Sequence, residues 1–268
     1  FAEASDFLPN YHDYPPALDS YLEHLRRLKE ALGIPVIASL NGVTVGGWVA
    51  HARALEAAGA DALELNVYYV AANPEESGAE VEGRYLGLLG ALRHQVSLPI
   101  NMKLSPNFSS VANMVKRLEA AGADGVALFN RFYQPDINLD SLRLRPALYP
   151  STSPESLLAM RWIALLHGRV ELSLGATGGV HTAEDALKLL LAGADVVHLC
   201  SLLLRDGPGA LRLVREGIES WMAEQGFETL ADFRGRMSAL AVPNPAEFER
   251  GNYVQVLDSY RASSGVLV

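Results

Sequence analysis

The sequence predicts an α/β fold assembled from repeated βα units. The tetrapeptide Ala-Gly-Ala-Asp occurs three times, at Ala58–Asp61, Ala121–Asp124 and Ala192–Asp195. Each copy follows a stretch with helical spacing and precedes a short apolar run of the kind that forms a buried strand. Glycine readily takes the left-handed conformation that ends a helix, and the alanines beside it let helix and strand approach closely. A helix-to-strand turn that recurs in this way is typical of a βα array.

Composition limits the class of protein. With 268 residues, 49% hydrophobic and 20% charged, the chain is large enough for a single βα barrel, which often takes about 250 residues. The net charge of −9 counts against a nucleic-acid partner or an anionic membrane surface. Cys200 is the single cysteine, which excludes an internal disulfide and fits a reducing compartment. Because no apolar run approaches a membrane span and no signal peptide is recognisable, we expect a cytoplasmic protein without a membrane span.

The first part of the chain predicts helices and strands in alternation. A helix over 16–33 is indicated by leucines with helical spacing, and Gly33 can end it. The strand over 35–40 is a short apolar run that ends before Asn41-Gly42. The following predicted helices are 46–58, 79–94 and 109–121, and the following predicted strands are 62–67, 98–104 and 125–130.

A loop rich in Pro, Asp, Asn and Ser separates the last two predicted strands from the others. It covers 131–154, and its length and composition are typical of a loop that carries function. Beyond it the sequence predicts a helix over 155–168, a strand over 170–175 and a turn at Thr177-Gly178-Gly179. The remaining predicted elements are a helix over 183–192 capped by Thr182, a strand over 195–200, and helices near 208–224 and 228–238.

Six predicted strands are two fewer than a closed barrel needs. We therefore expect a (βα)8 TIM barrel that lacks its first two βα units in this chain, with residues 1–268 forming one domain. An open, doubly wound sheet is the alternative architecture. The long loops and the late glycine pair favour the barrel.

Active sites of βα barrels lie at the carboxyl ends of the strands, and one strand there carries a cation. In the strand over 98–104, Ile100 and Met102 alternate with Asn101 and Lys103. One face of this strand therefore bears an amide and an ammonium group. Removing a cation from water is costly unless an anion meets it, which predicts a functional role for Lys103. The alternative is that Lys103 reaches the rim and only balances a carboxylate.

Two later strand ends predict a phosphate site. Gly178 and Gly179 let backbone N–H groups approach an anion, and Ser201 offers an N–H and a hydroxyl at the next strand end. A plain tight turn is the alternative for the glycine pair. Asn66 and Asn130 end two other predicted strands and can hydrogen-bond a planar heterocycle, although asparagine also caps strands without any ligand.

Other polar residues are not expected to act. The histidines in helices or turns are predicted to lie at the surface, His198 to be structural, and Cys200 to pack against the loop. The surface set is His51, His94, His167 and His181. No metal site is predicted.

Two segments resemble the dihydroorotate dehydrogenase family of FMN-dependent βα barrels. They are GATGGVHTAEDALKLLLAGADVVHLCS at 175–201 and GFETLADFRGRM at 226–237. The resemblance extends from about Ile34 to Met237 and is greatest to the divergent dihydroorotate dehydrogenase-like subgroup. It implies FMN as cofactor and a small-molecule substrate, dihydroorotate or a related dihydropyrimidine, in pyrimidine biosynthesis. A homodimer is left open.

The resemblance also implies roles for individual residues. Lys103, in Lys-Leu-Ser-Pro, matches a flavin-contacting lysine whose charge would stabilise the anionic reduced flavin. Asn66 matches an asparagine that contacts substrate and flavin, and Asn130 matches one on the substrate side. Gly178-Gly179 and Cys200-Ser201 match the phosphate-binding turns, the second of which is usually Gly-Thr in the family.

The sequence departs from the family pattern on the substrate side. The catalytic base of the family is a Cys or Ser three residues after the first asparagine, and Tyr69 stands there. A second motif asparagine is replaced by Ala71, and a small hydroxylic residue by Arg131. The glycine pair expected within 145–155 is absent. Tyr69 is the candidate base, although a phenol with a pKa of about 10 is poorly matched to neutral pH; an upstream or water-mediated base is the alternative.

Two other functions stay open. Lys103 could serve a Schiff-base aldolase, since barrel lysines also carry that chemistry. The chain could also be a flavin-binding homologue without catalysis.

Overall fold

The computed structural model describes residues 17–41, 45–145 and 147–249. The helices are α1 (Ala17–Ala31), α2 (Val45–Ala57), α3 (Gly78–Arg93), α4 (Val111–Ala120), α5 (Ser156–Leu166), α6 (Ala183–Ala192), α7 (Ser201–Asp206), α8 (Ala210–Gln225) and α9 (Ala246–Glu249). The strands are β1 (Ile37–Leu40), β2 (Ala62–Asn66), β3 (Ile100–Leu104), β4 (Gly125–Leu128), β5 (Asp136–Asn138), β6 (Arg143–Arg145), β7 (Ser173–Thr177) and β8 (Val196–His198). Short 3-10 turns cover Ser153–Glu155 and Leu230–Asp232.

Six of these strands form one sheet in the order β1-β2-β3-β4-β7-β8. The pairs β1–β2, β2–β3 and β7–β8 are parallel, and helices alternate with the strands along the chain. The predicted α/β fold is thereby confirmed. The chain divides into two compact units: the described residues up to Lys103 with Ala120–Gly125, and Leu104–Glu119 with the described residues from Val126 on.

In the first unit, the three strands place buried apolar side chains on one face of the sheet and their polar side chains on the other. Leu63, Leu65, Ile100 and Met102 have no exposed surface and occupy one face of the sheet, because successive residues of a strand point to opposite faces. Residues at the intervening positions belong to the other face, which is apolar where β1 and β2 begin, at Ile37 and Ala62, and polar beyond them. This separation is what positions the candidate site described below.

The Asp of each Ala-Gly-Ala-Asp copy fastens the turn to the sheet. Asp61 accepts hydrogen bonds from the Val36 backbone N–H and from Lys29 Nζ, both at 2.6 Å. Asp124 does the same with the Ile100 N–H (2.8 Å) and Arg93 (2.6 Å). In the second unit, Asp195 accepts from the Leu174 N–H at 2.8 Å and from Arg234. The preceding glycines have φ of 94°, 95° and 119°, so the predicted left-handed helix ends are confirmed.

The second unit has its own core around α6 and α8. Leu187, Leu190 and the fully buried Phe233 form its centre, and Trp221 lies edge-on to Phe233 with ring centroids 5.2 Å apart. Thr182 caps α6, as predicted: its hydroxyl accepts from the Asp185 N–H, and Asp185 accepts from the Thr182 N–H in return. This capping box satisfies two backbone donors at the helix start.

Two sequence predictions differ from the structure in kind. The loop predicted over 131–154 contains an antiparallel hairpin, β5–β6, in which Ile137 pairs with Leu144. The sequence predicted a loop there because polar residues and prolines dominate the segment, although it also contains alternating apolar residues. The helix predicted over 228–238 is only the 3-10 turn Leu230–Asp232, because Gly235, with φ of 76°, stops it. The other predicted boundaries lie within two residues of the observed ones, except that the strand predicted over 170–175 begins three residues later, at Ser173, and ends at Thr177.

Candidate functional site

A row of polar side chains crosses the first unit's sheet. Ser39, Glu64 and Asn101 are in register on β1, β2 and β3, and Asn66 is in register with Lys103 one step nearer the strand ends. Because residues two apart on a strand share a face, all five side chains lie on the polar face. We call these residues the strand-end cluster.

Glu64 is the centre of the strand-end cluster. Its Oε1 accepts a hydrogen bond from Ser39 Oγ at 3.0 Å and lies 3.6 Å from Lys103 Nζ. Its Oε2 accepts from Asn101 Nδ2 at 3.3 Å. The Glu64 side chain is 11% exposed and that of Lys103 is 22% exposed. Charges this poorly hydrated are tolerated when they are paired and hydrogen-bonded, and here each partner comes from a neighbouring strand.

This geometry changes the argument made from the sequence for Lys103. The anion that meets its ammonium is a carboxylate of the same chain, so desolvation alone no longer requires a ligand. The sequence reasoning missed Glu64 and Ser39. The signal was available in the alternation Leu63-Glu64-Leu65-Asn66, where a glutamate occupies an interior position of a strand.

Tyr69 is held by an ion pair in the loop after β2. Its hydroxyl donates to Glu76 Oε2 at 2.5 Å, and Arg84 pairs with Glu76 Oε1 at 2.5 Å. The Arg84 guanidinium also lies 4.8 Å from the centre of the Tyr69 ring. The hydrogen bond to Glu76 raises the pKa of Tyr69, burial adds to this effect, and Arg84 opposes it. The free phenolate is therefore rarer at neutral pH than in an unperturbed tyrosine.

In the second unit, hydroxyls and glycine amides meet at the ends of β7 and β8. The Gly179 N–H donates to Ser151 Oγ at 3.3 Å, and Ser151 Oγ donates to Ser201 Oγ at 3.0 Å. Ser201 Oγ also accepts from the Ser151 N–H at 3.1 Å. His181 Nε2 lies 3.3 Å from Ser151 Oγ. Together with Gly178 these residues form what we call the serine–glycine cluster.

The two glycines of this cluster differ in their surroundings. A Cβ on Gly179 would lie 2.4 Å from the Ser156 backbone N and 2.8 Å from the Thr152 carbonyl O, whereas a Cβ on Gly178 would meet nothing within 4 Å. Both residues have positive φ, 96° for Gly178 and 73° for Gly179. Gly179 is therefore required by the neighbouring backbone, and Gly178 leaves open space beside the turn.

Three sequence expectations fail in the second unit. His181 is half-buried in the serine–glycine cluster, and His167 is half-buried with Nδ1 3.2 Å from the Gly193 carbonyl O, although both were expected at the surface. Cys200 is exposed rather than packed against the loop, because it precedes Ser201 at the start of α7. Histidine placement depends on which helix faces meet, which spacing along one chain does not reveal.

The order and chemistry of these elements agree with one known family. The chain matches the family model described as dihydroorotate dehydrogenase over residues 15–222. It belongs to the dihydroorotate dehydrogenase family. The family predicted from the sequence is thereby confirmed.

Several dihydroorotate dehydrogenases are similar to this chain over most of its length. The catalytic subunit of dihydroorotate dehydrogenase B (NAD(+)) from Methanothermobacter thermautotrophicus is 27% identical over 231 residues, 82% of this chain and 74% of the relative. A putative dihydroorotate dehydrogenase A (fumarate) from Aeropyrum pernix is 31% identical over 221 residues, 79% and 70% of the two chains. The B-type catalytic subunit from Pyrococcus furiosus is 30% identical over 238 residues, 85% and 75%.

Arg131, which follows Asn130 where the resemblance implies a small hydroxylic residue, forms an ion pair with Glu155. Arg131 Nε donates to Glu155 Oε2 at 2.9 Å, and Arg131 also donates to the Tyr149 carbonyl O. Burial alone would raise the pKa of Glu155, but hydrogen bonds from the Thr152 backbone and from Arg131 bring it below its ordinary value. Asn130 itself is buried, and its N–H donates to the Leu104 carbonyl O at 2.6 Å.

Within the described part of the chain, no helix combines the length and the apolar character that crossing a membrane requires.

Proposed function

We propose that this protein is an FMN-dependent oxidoreductase that oxidises a CH–CH bond of dihydroorotate or a related dihydropyrimidine, as a step of pyrimidine biosynthesis. The observation that carries the proposal is the polar sheet face, where Lys103 stands beside Asn66 at the strand ends of a chain that belongs to the dihydroorotate dehydrogenase family. The substrate is a small molecule in either case.

The residues present fit a bound flavin. When bound, FMN would accept a hydride from the substrate and become an anion upon reduction. Lys103 supplies a partly exposed ammonium, 22% exposed, whose positive charge stabilises such an anion. Asn66 supplies an amide at the adjacent position, which both donates and accepts hydrogen bonds to a heterocycle. Asn130 supplies a second amide on the substrate side.

For the phosphate of FMN, we propose the serine–glycine cluster and Cys200. Gly178 has open space where a side chain would stand, and anions bind well where backbone N–H groups converge. The Ser201 hydroxyl lies within the cluster, and Cys200 precedes it at the start of α7. His181, 3.3 Å from Ser151 Oγ, adds a nitrogen that can donate to a phosphate oxygen when protonated.

For the base, we propose Tyr69 acting together with Glu76. Since the pKa of Tyr69 is raised, the phenol accepts the substrate proton only if its own proton passes to Glu76 along the 2.5 Å hydrogen bond. Arg84 pairs with the other oxygen of this carboxylate and so holds it beside the phenol.

We also propose that the six βα units belong to a (βα)8 barrel and that residues 1–268 form a single domain. Ile37 on β1 is 55% exposed and Val196 on β8 is 52% exposed. Each lies on a strand at one end of the sheet order. Apolar residues on sheet edges are normally covered, and closure of a barrel removes both edges. The two further units and a homodimer stay predictions.

The aldolase alternative is not favoured, because the family to which the chain belongs is one of dehydrogenases.

The absorbance spectrum of the purified protein tests the proposal directly. We expect a flavin spectrum, and we expect anaerobic titration with dihydroorotate, or with dihydrouracil as a related dihydropyrimidine, to bleach it. A protein that neither contains nor takes up FMN would refute the proposal. Bound flavin that none of these dihydropyrimidines reduces would instead favour a flavin-binding homologue without catalysis.

A further inference from the structure

Glu64 is a buried carboxylate that the proposed reaction does not use. It has 8% of its surface exposed and lies in the middle of β2. Its neighbours in the strand, Leu63 and Leu65, point to the opposite, apolar face of the sheet. Both of its oxygens are engaged, Oε1 by Ser39 and Lys103 and Oε2 by Asn101. Three strands thus each contribute a partner to one negative charge.

Stability of the sheet alone does not account for this arrangement. Replacing a buried ion pair by apolar side chains of similar volume is often neutral or stabilising, so a sheet face that served only as core would not need Glu64. The carboxylate lies 3.6 Å from the Lys103 ammonium. This distance is longer than a hydrogen bond, so Glu64 places and offsets the charge of Lys103 without consuming one of its donors.

We propose that Glu64 is a positioning residue that fixes the Lys103 ammonium and sets how strongly it stabilises the reduced flavin. This inference rests on the proposed binding of FMN. With the carboxylate present, the net charge beside the flavin is close to zero. Removing it leaves the positive charge of Lys103 uncompensated, which favours the reduced anion over the neutral oxidised ring.

The Glu64→Gln variant tests this inference, because it removes the charge and keeps the size of the side chain. We expect the midpoint potential of the bound flavin, measured by dye-equilibrated reduction, to become more positive than in the wild type. A tenfold greater preference for the reduced form corresponds to about 30 mV for this two-electron couple. Sulfite, which adds to flavin as an anion, should bind more tightly in the variant. Neither readout depends on turnover.

Two further variants exclude a general effect of substitution. Glu119→Gln removes a carboxylate whose side chain is 22% exposed and paired with Lys116 at 2.6 Å, and it should leave the potential unchanged. Glu64→Asp keeps the charge but withdraws it from Lys103, and it should give a smaller positive shift than Glu64→Gln.

The outcomes separate this inference from the function on which it rests. A potential that is unchanged or more negative in Glu64→Gln overturns the role of Glu64. If that variant does not fold, an unchanged potential in Glu64→Asp overturns it equally. A wild-type protein that takes up no flavin refutes the proposed function, whereas a flavoprotein whose potential ignores both substitutions refutes only the inference.

Discussion

The two glycines of the serine–glycine cluster give a matched pair of substitutions. Gly178→Ala and Gly179→Ala each add one methyl group at positive φ, 96° and 73°. A non-glycine residue in the left-handed region costs roughly 1–2 kcal/mol. For Gly178 the structure adds no further cost, because nothing lies within 4 Å of the new Cβ.

In Gly179→Ala the added methyl group would clash with backbone atoms that cannot shift without moving the turn to which they belong. Its Cβ would lie 2.4 Å from the Ser156 N and 2.8 Å from the Thr152 O, and these atoms belong to the turn that starts α5. Overpacking of this kind typically costs about 1–3 kcal/mol. The total for Gly179→Ala is then roughly 2–5 kcal/mol, about 1–3 kcal/mol more than for Gly178→Ala.

Urea unfolding followed by circular dichroism measures this difference. With a slope of about 2 kcal/mol per M, the midpoint of Gly179→Ala should fall about 1 M below that of Gly178→Ala. Flavin binding should rank the variants differently. If the FMN phosphate occupies the open space beside Gly178, its alanine variant loses at least about tenfold in FMN affinity, or 1.4 kcal/mol, while remaining folded. Equal unfolding midpoints would refute the packing argument, and an unchanged FMN affinity in Gly178→Ala would refute the phosphate assignment.

Three other predictions follow from the protonation of single groups. Tyr69→Phe should keep its flavin content and reduce the rate of flavin reduction by dihydropyrimidine about 100-fold or more; a full rate in stopped-flow reduction would remove Tyr69 as the base. The hydrogen bonds from Lys29 and then from the Val36 N–H lower the pKa of Asp61 from 3.8, so this stabilisation is present above about pH 4 and is lost as the pH falls through the lowered pKa. Asp61→Asn should therefore make the unfolding midpoint less dependent on pH in that range, and an unaltered profile would contradict it. Burial raises the pKa of Tyr85 to about 12. The contribution of this shift to folding stability is therefore complete below about pH 10 and is lost between about pH 10 and 12. Tyr85→Phe should lessen this alkaline loss of stability, and an equal loss in the variant would count against the argument.

Local signals predicted most of the fold. The Ala-Gly-Ala-Asp copies marked three strand starts correctly, because a helix end, a close approach and a strand start are all decided within a few residues. The β5–β6 hairpin was missed because its pairing of Ile137 with Leu144 lies inside a segment whose composition is that of a loop. The helix predicted over 228–238 failed at Gly235, whose conformation is set by contacts outside the segment.

The candidate site was only partly predictable, because the sequence of a single strand does not determine its register with its neighbours. Alternation placed Lys103 on a polar face, and the structure gave it Glu64 as its partner at 3.6 Å. Which glutamate meets which lysine depends on how β2 and β3 align, and a shift of one residue would have moved Glu64 to the apolar face. His181 was missed for the same reason, since its neighbour Ser151 is 30 residues away in sequence.

The departures from the family pattern share one physical feature. Tyr69 and Arg131 stand where the resemblance implies other residues, and each contacts an acidic residue of its own unit: Tyr69 Oη lies 2.5 Å from Glu76, and Arg131 Nε lies 2.9 Å from Glu155. Each of these side chains is therefore held by a hydrogen bond to a carboxylate. At the positions that the resemblance assigns to flavin, Lys103 and Asn66 are of the implied types, whereas Cys200-Ser201 stands where it implies Gly-Thr. The proposed flavin contact at Lys103 and the proposed base Tyr69 are therefore tested separately, the first by flavin content and the second by the rate of flavin reduction.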